Sequence, residues 1–147
     1  MRLSTKGRYG TRAMLELAFH YERDIIRVRD IAEEQEISAK YLEHFLTSLK
    51  SAGFIRSIRG AHGGYTLTME PSRVRLGDIL RVLEGTMAPV ECVDDPDICG
   101  RYPLCAVRDI WCETKEALMG LLNSMTLQDL VEKQKERERC KGLMYHI

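Results

Sequence analysis

Between Thr11 and His20, apolar residues fall at Ala13, Met14, Leu15, Leu17 and Ala18, with Tyr21 just beyond, which is the spacing of a helix with a broad core-facing stripe. A second, short helix is expected to begin near Asp30. Ile31 and Ala32 follow it, and Glu33 and Glu34 add acidic residues that suit the positive end of a helix. The pattern resets at Ile37-Ser38. Ser38 is a good N-cap, and beyond it Leu42, Phe45, Leu46 and Leu49 recur at i, i+3, i+4 and i+7. Gly53 is placed to close this third helix in a left-handed conformation. Two short helices joined by a tight turn match the helix-turn-helix unit, whose second helix enters the major groove of DNA. Ser38, Ala39, Lys40, Tyr41, Glu43 and His44 are expected on its exposed N-terminal end. Glu43 is the most informative of them. An acidic side chain repels phosphates and is tolerated on a DNA-facing helix mainly where it accepts from cytosine N4.

Phe54 to Arg59 alternates apolar and polar residues, Gly60-Ala61-His62-Gly63-Gly64 follows, and Tyr65-Thr66-Leu67-Thr68 resumes, so a β-hairpin with a glycine-rich tip is expected. A hairpin directly after a recognition helix is the wing of a winged helix, with Arg59 placed to enter the minor groove. The same glycines could cradle a phosphate. They follow no P-loop pattern, however, and precede a strand instead of a helix.

Beyond Pro71, residues 76–84 form a short amphipathic helix that Gly85 ends. Periodicity then disappears between Met87 and Pro103, where Pro89, Pro96, Gly100 and Pro103 mark an irregular loop carrying Cys92 and Cys99, with Cys105 just past it. A long helix is expected from about Pro103 to Asn123, with Val107, Ile110, Trp111, Leu118, Leu121 and Leu122 on one broad face. At about 30 Å it is longer than a small domain covers by itself, which points to a two-fold partner helix. Thr126, with Asp129 at the capping-box position, opens a last helix through Leu127, Leu130 and Val131, and the charged chain after Lys133 is expected to fray.

The chain of 147 residues is sized for one mainly α-helical globular domain, and its apolar runs are far short of a membrane span. With no signal-peptide core behind its basic N-terminus, it is expected in the cytoplasm, without a membrane partner. Formal net charge is zero but unevenly placed. Residues 1–75 hold 13 Lys and Arg against 9 Asp and Glu, out of 22 of each in the whole chain, so the first half is basic and the second acidic. The histidines at 20, 44, 62 and 146 form no nucleophile–base pattern, and no cofactor fingerprint is present, so the chain is not expected to be an enzyme.

Five cysteines, four of them between positions 92 and 112, suggest a metal, a cluster or a redox switch more than a disulfide framework. The spacing Cys92-x6-Cys99-x5-Cys105 departs from the paired ligands of a zinc finger. Soft sulfur ligands in an irregular loop leave iron-sulfur clusters, zinc and Cu(I) open. Two other classes therefore stand beside a regulator: an iron-sulfur carrier or redox subunit, and a zinc-stabilised interaction module.

The opening Met1-Arg2-Leu3-Ser4-Thr5-Lys6-Gly7-Arg8-Tyr9, the turn Ile37 to Glu43, the stretch Arg59 to Tyr65, the three cysteines and Thr126 to Leu130 together resemble the iron-sulfur cluster regulator (IscR) family of winged helix-turn-helix transcription regulators, over nearly the whole chain. The resemblance implies a homodimer on a palindromic operator and a [2Fe-2S] cluster on Cys92, Cys99 and Cys105, with [4Fe-4S] as the alternative. It also implies repression of cluster-assembly genes. DNA contact is implied for Arg2, for the recognition-helix residues named above, and for Arg59, Gly60, His62, Gly63, Gly64 and Tyr65 of the wing. Some relatives sense nitric oxide, redox state or cysteine metabolism instead. One position departs: in the cluster-binding regulator that the motifs resemble, a histidine three residues after the third cysteine is the fourth ligand. Arg108 stands here and stays protonated. Cys112 is a distant substitute, about 10.5 Å farther along the helix than Cys105, and Cys140 reads as a spare thiol. The expected organisation is a DNA-binding region over 1–84, a cluster-binding loop over 85–105, dimerisation and C-terminal helices over 103–139, and a tail over 140–147. Cluster occupancy is expected to order the loop and shift the recognition helices.

Overall fold

The computed structural model describes residues 2–145; Met1 of the opening motif, His146 and the last tail residue lie outside that range. Helix α1 spans Thr5–Phe19, α2 Val28–Gln35 and α3 Ala39–Ser51, followed by the antiparallel strands β1 (Ile55–Ile58) and β2 (Gly64–Leu67). Helix α4 spans Leu76–Glu84, α5 Ala106–Ser124 and α6 Leu127–Tyr145. Among the described residues, no helix is long and apolar enough to cross a membrane.

One core unites these elements. Ala13, Met14 and Leu17 of α1, Ile31 of α2, Leu42, Phe45, Leu46 and Leu49 of α3, and Ile79 and Leu83 of α4 are all buried in it. Leu127 and Val131 of α6 join the same core, so the chain returns after α5 to complete the N-terminal unit. The return is fixed by backbone bonds from Leu76 N–H to the Met125 carbonyl and from Leu127 N–H to the Val74 carbonyl, each 2.9 Å. The expected capping box closes α6: Thr126 N–H donates to Asp129 Oδ2 at 2.8 Å, and Asp129 N–H donates to Thr126 Oγ1 at 3.2 Å.

Four boundaries differ from the sequence pattern. Helix α1 begins six residues earlier, at Thr5, where Ser4 Oγ accepts from Gly7 N–H at 3.1 Å. The glycines that hide this first part from periodicity lie closely against α4: a Cβ on Gly7 would fall 2.1 Å from Glu84 Oε1 and one on Gly10 2.4 Å from Leu83 Cδ1, so either side chain would have to shift. Helix α2 begins at Val28, two residues before Asp30. Pro103 belongs to a separate 3-10 turn, Tyr102–Leu104, and α5 starts only after Cys105. Helix α6 does not fray after Lys133 but runs to Tyr145. Its residues are good helix formers, and side-chain bonds one turn apart, Gln128 to Glu132 and Gln134 to Glu138, support a helix with little apolar face.

Candidate nucleic-acid interface and cysteine loop

The turn between α2 and α3 is built on Glu36, which takes the left-handed conformation at φ 54°, while Ile37 N–H reaches back to the Ala32 carbonyl at 2.8 Å. Ser38 caps α3, its Oγ accepting from Tyr41 N–H at 3.4 Å. At the other end Gly53 has φ 85°, and its N–H bonds the Lys50 carbonyl while Phe54 N–H bonds that of Leu49, the double bond of a Schellman cap. These fixed ends hold Leu42, Phe45 and Leu46 inward and leave Lys40, Tyr41, Glu43 and His44 exposed. Tyr41 has two roles open to it. Its ring packs edge-on against Tyr9 and Phe45, with centroids 6.5 and 5.3 Å away, yet the residue remains 39% exposed.

The expected wing is present with a smaller tip. Ile55 pairs with Leu67, Arg56 with Thr66, Ser57 with Tyr65 and Ile58 with Gly64, so Gly64 lies in the strand instead of the tip. Arg59, Gly60 and His62 are exposed, whereas Gly63, Gly64 and Tyr65 are half-buried and Tyr65 packs on the core. Lys50 Nζ donates to Ser57 Oγ at 2.7 Å and ties the end of α3 to β1. Three cations escaped the sequence reading. The guanidinium carbons of Arg8 and Arg12 lie 5.4 and 5.7 Å from the centre of the Tyr9 ring that touches Tyr41, and Arg27 donates to the Ala61 carbonyl at 3.2 Å in the wing tip. The i, i+4 spacing of Arg8 and Arg12 was the available signal for the first two, once α1 is known to start at Thr5.

The segment after α4 is a chain of short 3-10 turns, Glu91–Val93, Pro96–Ile98 and Tyr102–Leu104. Cys92 lies in the first, Cys99 ends the second, and Cys105 is the N-cap residue of α5. All five cysteines are free thiols, with Cys92, Cys105 and Cys112 half-buried and Cys99 and Cys140 exposed. Among the described residues no three His, Cys, Asp or Glu side chains come together closely enough to hold a metal ion. Three soft thiols in one loop fit the donor chemistry of an iron-sulfur cluster; their arrangement here does not converge them. Arg108 explains part of that arrangement. Its Nε donates to the Cys92 carbonyl at 2.8 Å, its Nη2 to that of Val93 at 3.3 Å, and its guanidinium stacks 4.6 Å from the Tyr102 ring centre. The residue at the departing position is thus a brace between loop and helix.

A second anchor lies beside it. Asp94 bonds Lys115 Nζ of α5 at 2.5 Å and accepts from the Thr86 hydroxyl just past α4. The Lys115 bond first and the Thr86 bond second hold the Asp94 carboxyl below its ordinary value, with burial opposing. Two residues before Thr86, Glu84 accepts from both the N–H and the hydroxyl of Ser4, which connects the same corner to the N-terminal arm bearing Arg2.

The apolar face of α5 is two faces. Val107, Ile110 and Leu121 point outward, 59, 54 and 62% exposed, while Trp111, Leu118 and Leu122 occupy the adjacent arc and are half-buried. Leu118 and Leu122 line a cleft with Leu80, Met87 and Ala88. Only the outer arc is free for another surface.

Residues 3–133 match the family model of Rrf2, described as an iron-dependent transcriptional regulator. The chain is 43% identical over 131 residues to protein rrf2 of Nitratidesulfovibrio vulgaris, covering 89% of this chain and 87% of that one. It is 42% identical over 130 residues to the regulator CymR of Bacillus subtilis, covering 88% of this chain and 89% of that protein. The solved structure of CymR, described as the global cysteine regulator of B. subtilis, superposes with a TM-score of 0.77 at 40% identity, over 90% of this chain and 98% of that one. The solved T. potens IscR superposes with a TM-score of 0.80 at 35% identity, over 99% of this chain and 96% of that one.

Proposed function

The chain belongs to the Rrf2 family of transcription regulators, and from that premise we propose that it is a cytoplasmic homodimer that binds a palindromic operator. In this reading it represses iron-sulfur cluster assembly genes according to the state of its cysteine loop. Cys92, Cys99 and Cys105 would hold the cluster, [2Fe-2S] in the first instance and [4Fe-4S] as the alternative. The recognition contacts come from Arg2, from residues 38–41, 43 and 44, and from the wing residues 59, 60 and 62–65. Residues 1–84 serve DNA, 85–105 the cluster, and 103–139 dimerisation and the closing helix, which continues to Tyr145 where a tail was expected. When bound, the cluster supplies thiolate-ligated iron whose occupancy follows iron and sulfide supply.

The observation that carries this reading is the double anchoring of the loop. A shift of the Cys92 turn acts on α5 through Arg108 and, through Asp94 and Thr86, on the corner of α4 where Glu84 holds Ser4. The outer arc of α5 offers a second copy its apolar surface, and the two recognition helices are spaced by whatever that contact fixes. Anaerobic purification of the parent and of Cys92→Ala, with iron, sulfide and zinc analysis, tests the sensor. Iron with matching sulfide, lost in the variant, is expected; zinc alone or no metal removes the cluster. Operator selected from random duplexes tests the DNA half independently. Glu43→Ala is expected to relax the preference for C·G at one position by about 1–3 kcal/mol.

A second reading gives the same winged helix a different signal, cysteine metabolism. Its support is the engagement of Arg108 with the loop backbone and the 42% identity to CymR. A protein that purifies anaerobically without iron or sulfide and still binds its selected operator selects it.

A further inference from the structure

The connection between α1 and α2 is physically part of the wing. Ile26 exchanges both backbone bonds with Tyr65, N–H to carbonyl at 3.0 Å and the reverse at 2.7 Å, and so adds a one-residue third strand beside β2. The approach is close enough that a Cβ at Gly64 would stand 2.3 Å from the Ile26 carbonyl oxygen. Arg27 comes next. Its backbone is extended at the N-cap position of α2, and its side chain makes no cap bond there. Instead its Nη2 donates to the Ala61 carbonyl at 3.2 Å, between Gly60 and His62. The tip is otherwise closed by one backbone bond, Gly63 N–H to the Gly60 carbonyl at 3.0 Å. A lone two-stranded hairpin is marginal in water, so an exposed tip gains definition from each tie to the body of the protein.

We propose that Arg27 is a positioning residue for the wing: by holding Ala61 to the start of α2 it fixes where Arg59 and His62 stand relative to the helix-turn-helix, and so sets the wing's preference for a narrow, A·T-rich minor groove. The inference rests on the reading of Arg59 as the minor-groove residue. An arginine carries five N–H donors and an undiminished charge, so the competing role for an exposed Arg27 is a direct contact with a phosphate. The two roles leave different marks. A phosphate contact changes affinity for all sequences and the salt dependence, whereas a positioning residue changes discrimination.

The test uses the full chain and a duplex operator selected from a random pool, made in two versions with A·T or G·C pairs in the minor-groove segment under the wing. Parent, Arg27→Ala, Arg27→Lys and Arg59→Ala are titrated on both across a salt series. Arg27→Ala is expected to lose about five- to tenfold of the A·T preference, approaching Arg59→Ala, with the slope of log affinity against log salt unchanged. Arg27→Lys, which keeps a donor on a chain of similar reach, is expected to recover part of it. An equal loss on both duplexes with the salt slope reduced by about one identifies a phosphate contact and overturns positioning. An unchanged preference in Arg27→Ala beside a lost one in Arg59→Ala overturns the Arg27 proposal alone. An unchanged preference in Arg59→Ala overturns the minor-groove reading of the wing, and this inference with it.

Discussion

The winged-helix unit and the segment from Thr86 to Ser124 are held together by opposite means. The first, closed by the start of α6, buries side chains from every one of its helices in a shared core. The second buries none: α5 has no buried residue in its whole length, and the loop before it hangs on polar ties at Arg108, Lys115 and Thr86. Apolar burial is non-directional and strong in sum, while exposed hydrogen bonds and ion pairs are individually weak and specific. A body built by the first means keeps one shape, and a segment built by the second is free to take its final shape from something else. That division suits the roles proposed above, in which the first unit reads DNA and the second senses and pairs.

The comparison breaks most readily at its strongest term. Phe45→Ala is expected to cost about 3–5 kcal/mol in urea unfolding, because the ring is fully enclosed. Val107→Ala, at an exposed position, is expected to leave the unfolding of the isolated subunit within about 0.5 kcal/mol, and equal costs would dissolve the distinction. Next in size, Leu121→Asp is expected to weaken self-association by about 100-fold or more while far-ultraviolet dichroism stays unchanged, since it puts an unpaired charge on the outer arc of α5. Sedimentation of the variant as a dimer at the parent's concentration would remove α5 from the pairing surface.

Smaller effects sharpen the boundary between the regions. Gly10→Ala adds a methyl 2.4 Å from Leu83 Cδ1, and the crowding is expected to outweigh the gain in helix propensity by about 1 kcal/mol. A gain in thermal stability would show that α1 and α4 have slack. The smallest change concerns Asp94, whose folded value lies below the ordinary 3.8. With the folded value depressed, its contribution is complete above the ordinary carboxylate value and is lost as pH falls through the folded one. Acid titration followed by the fluorescence of the single tryptophan, Trp111, is expected to show a loop transition below pH 3.8 in the parent that Asp94→Asn lacks. The same transition in both proteins would assign it elsewhere.

Much of the winged-helix half was legible because its signals are local. Ser38, Gly53 and the 42-45-46-49 repeat mark α3 with cap and period alone, and the glycines from 60 to 64 mark a hairpin. What escaped was encoded by contact. Lys6 to Gly10 carries no apolar period, yet it is helix because α4 lies against it. Arg27 stands in a stretch without pattern, and nothing near it in sequence tells of Ala61. In the cysteine loop, residue type and spacing named the donors, but the brace made by Arg108 joins positions sixteen residues apart.

By itself the sequence determined the order of helices, the capped starts of α3 and α6, the wing and the placing of Cys92, Cys99 and Cys105 in or beside one loop, since each depends on neighbours within a turn or two. Only the tertiary structure decided that α1 starts at Thr5, that α5 divides its apolar residues between an inner cleft and an open arc, and that the loop is tied to α4 and α5. Those outcomes depend on which surfaces meet. A periodic pattern says that a face is apolar, and only packing says what, if anything, covers it.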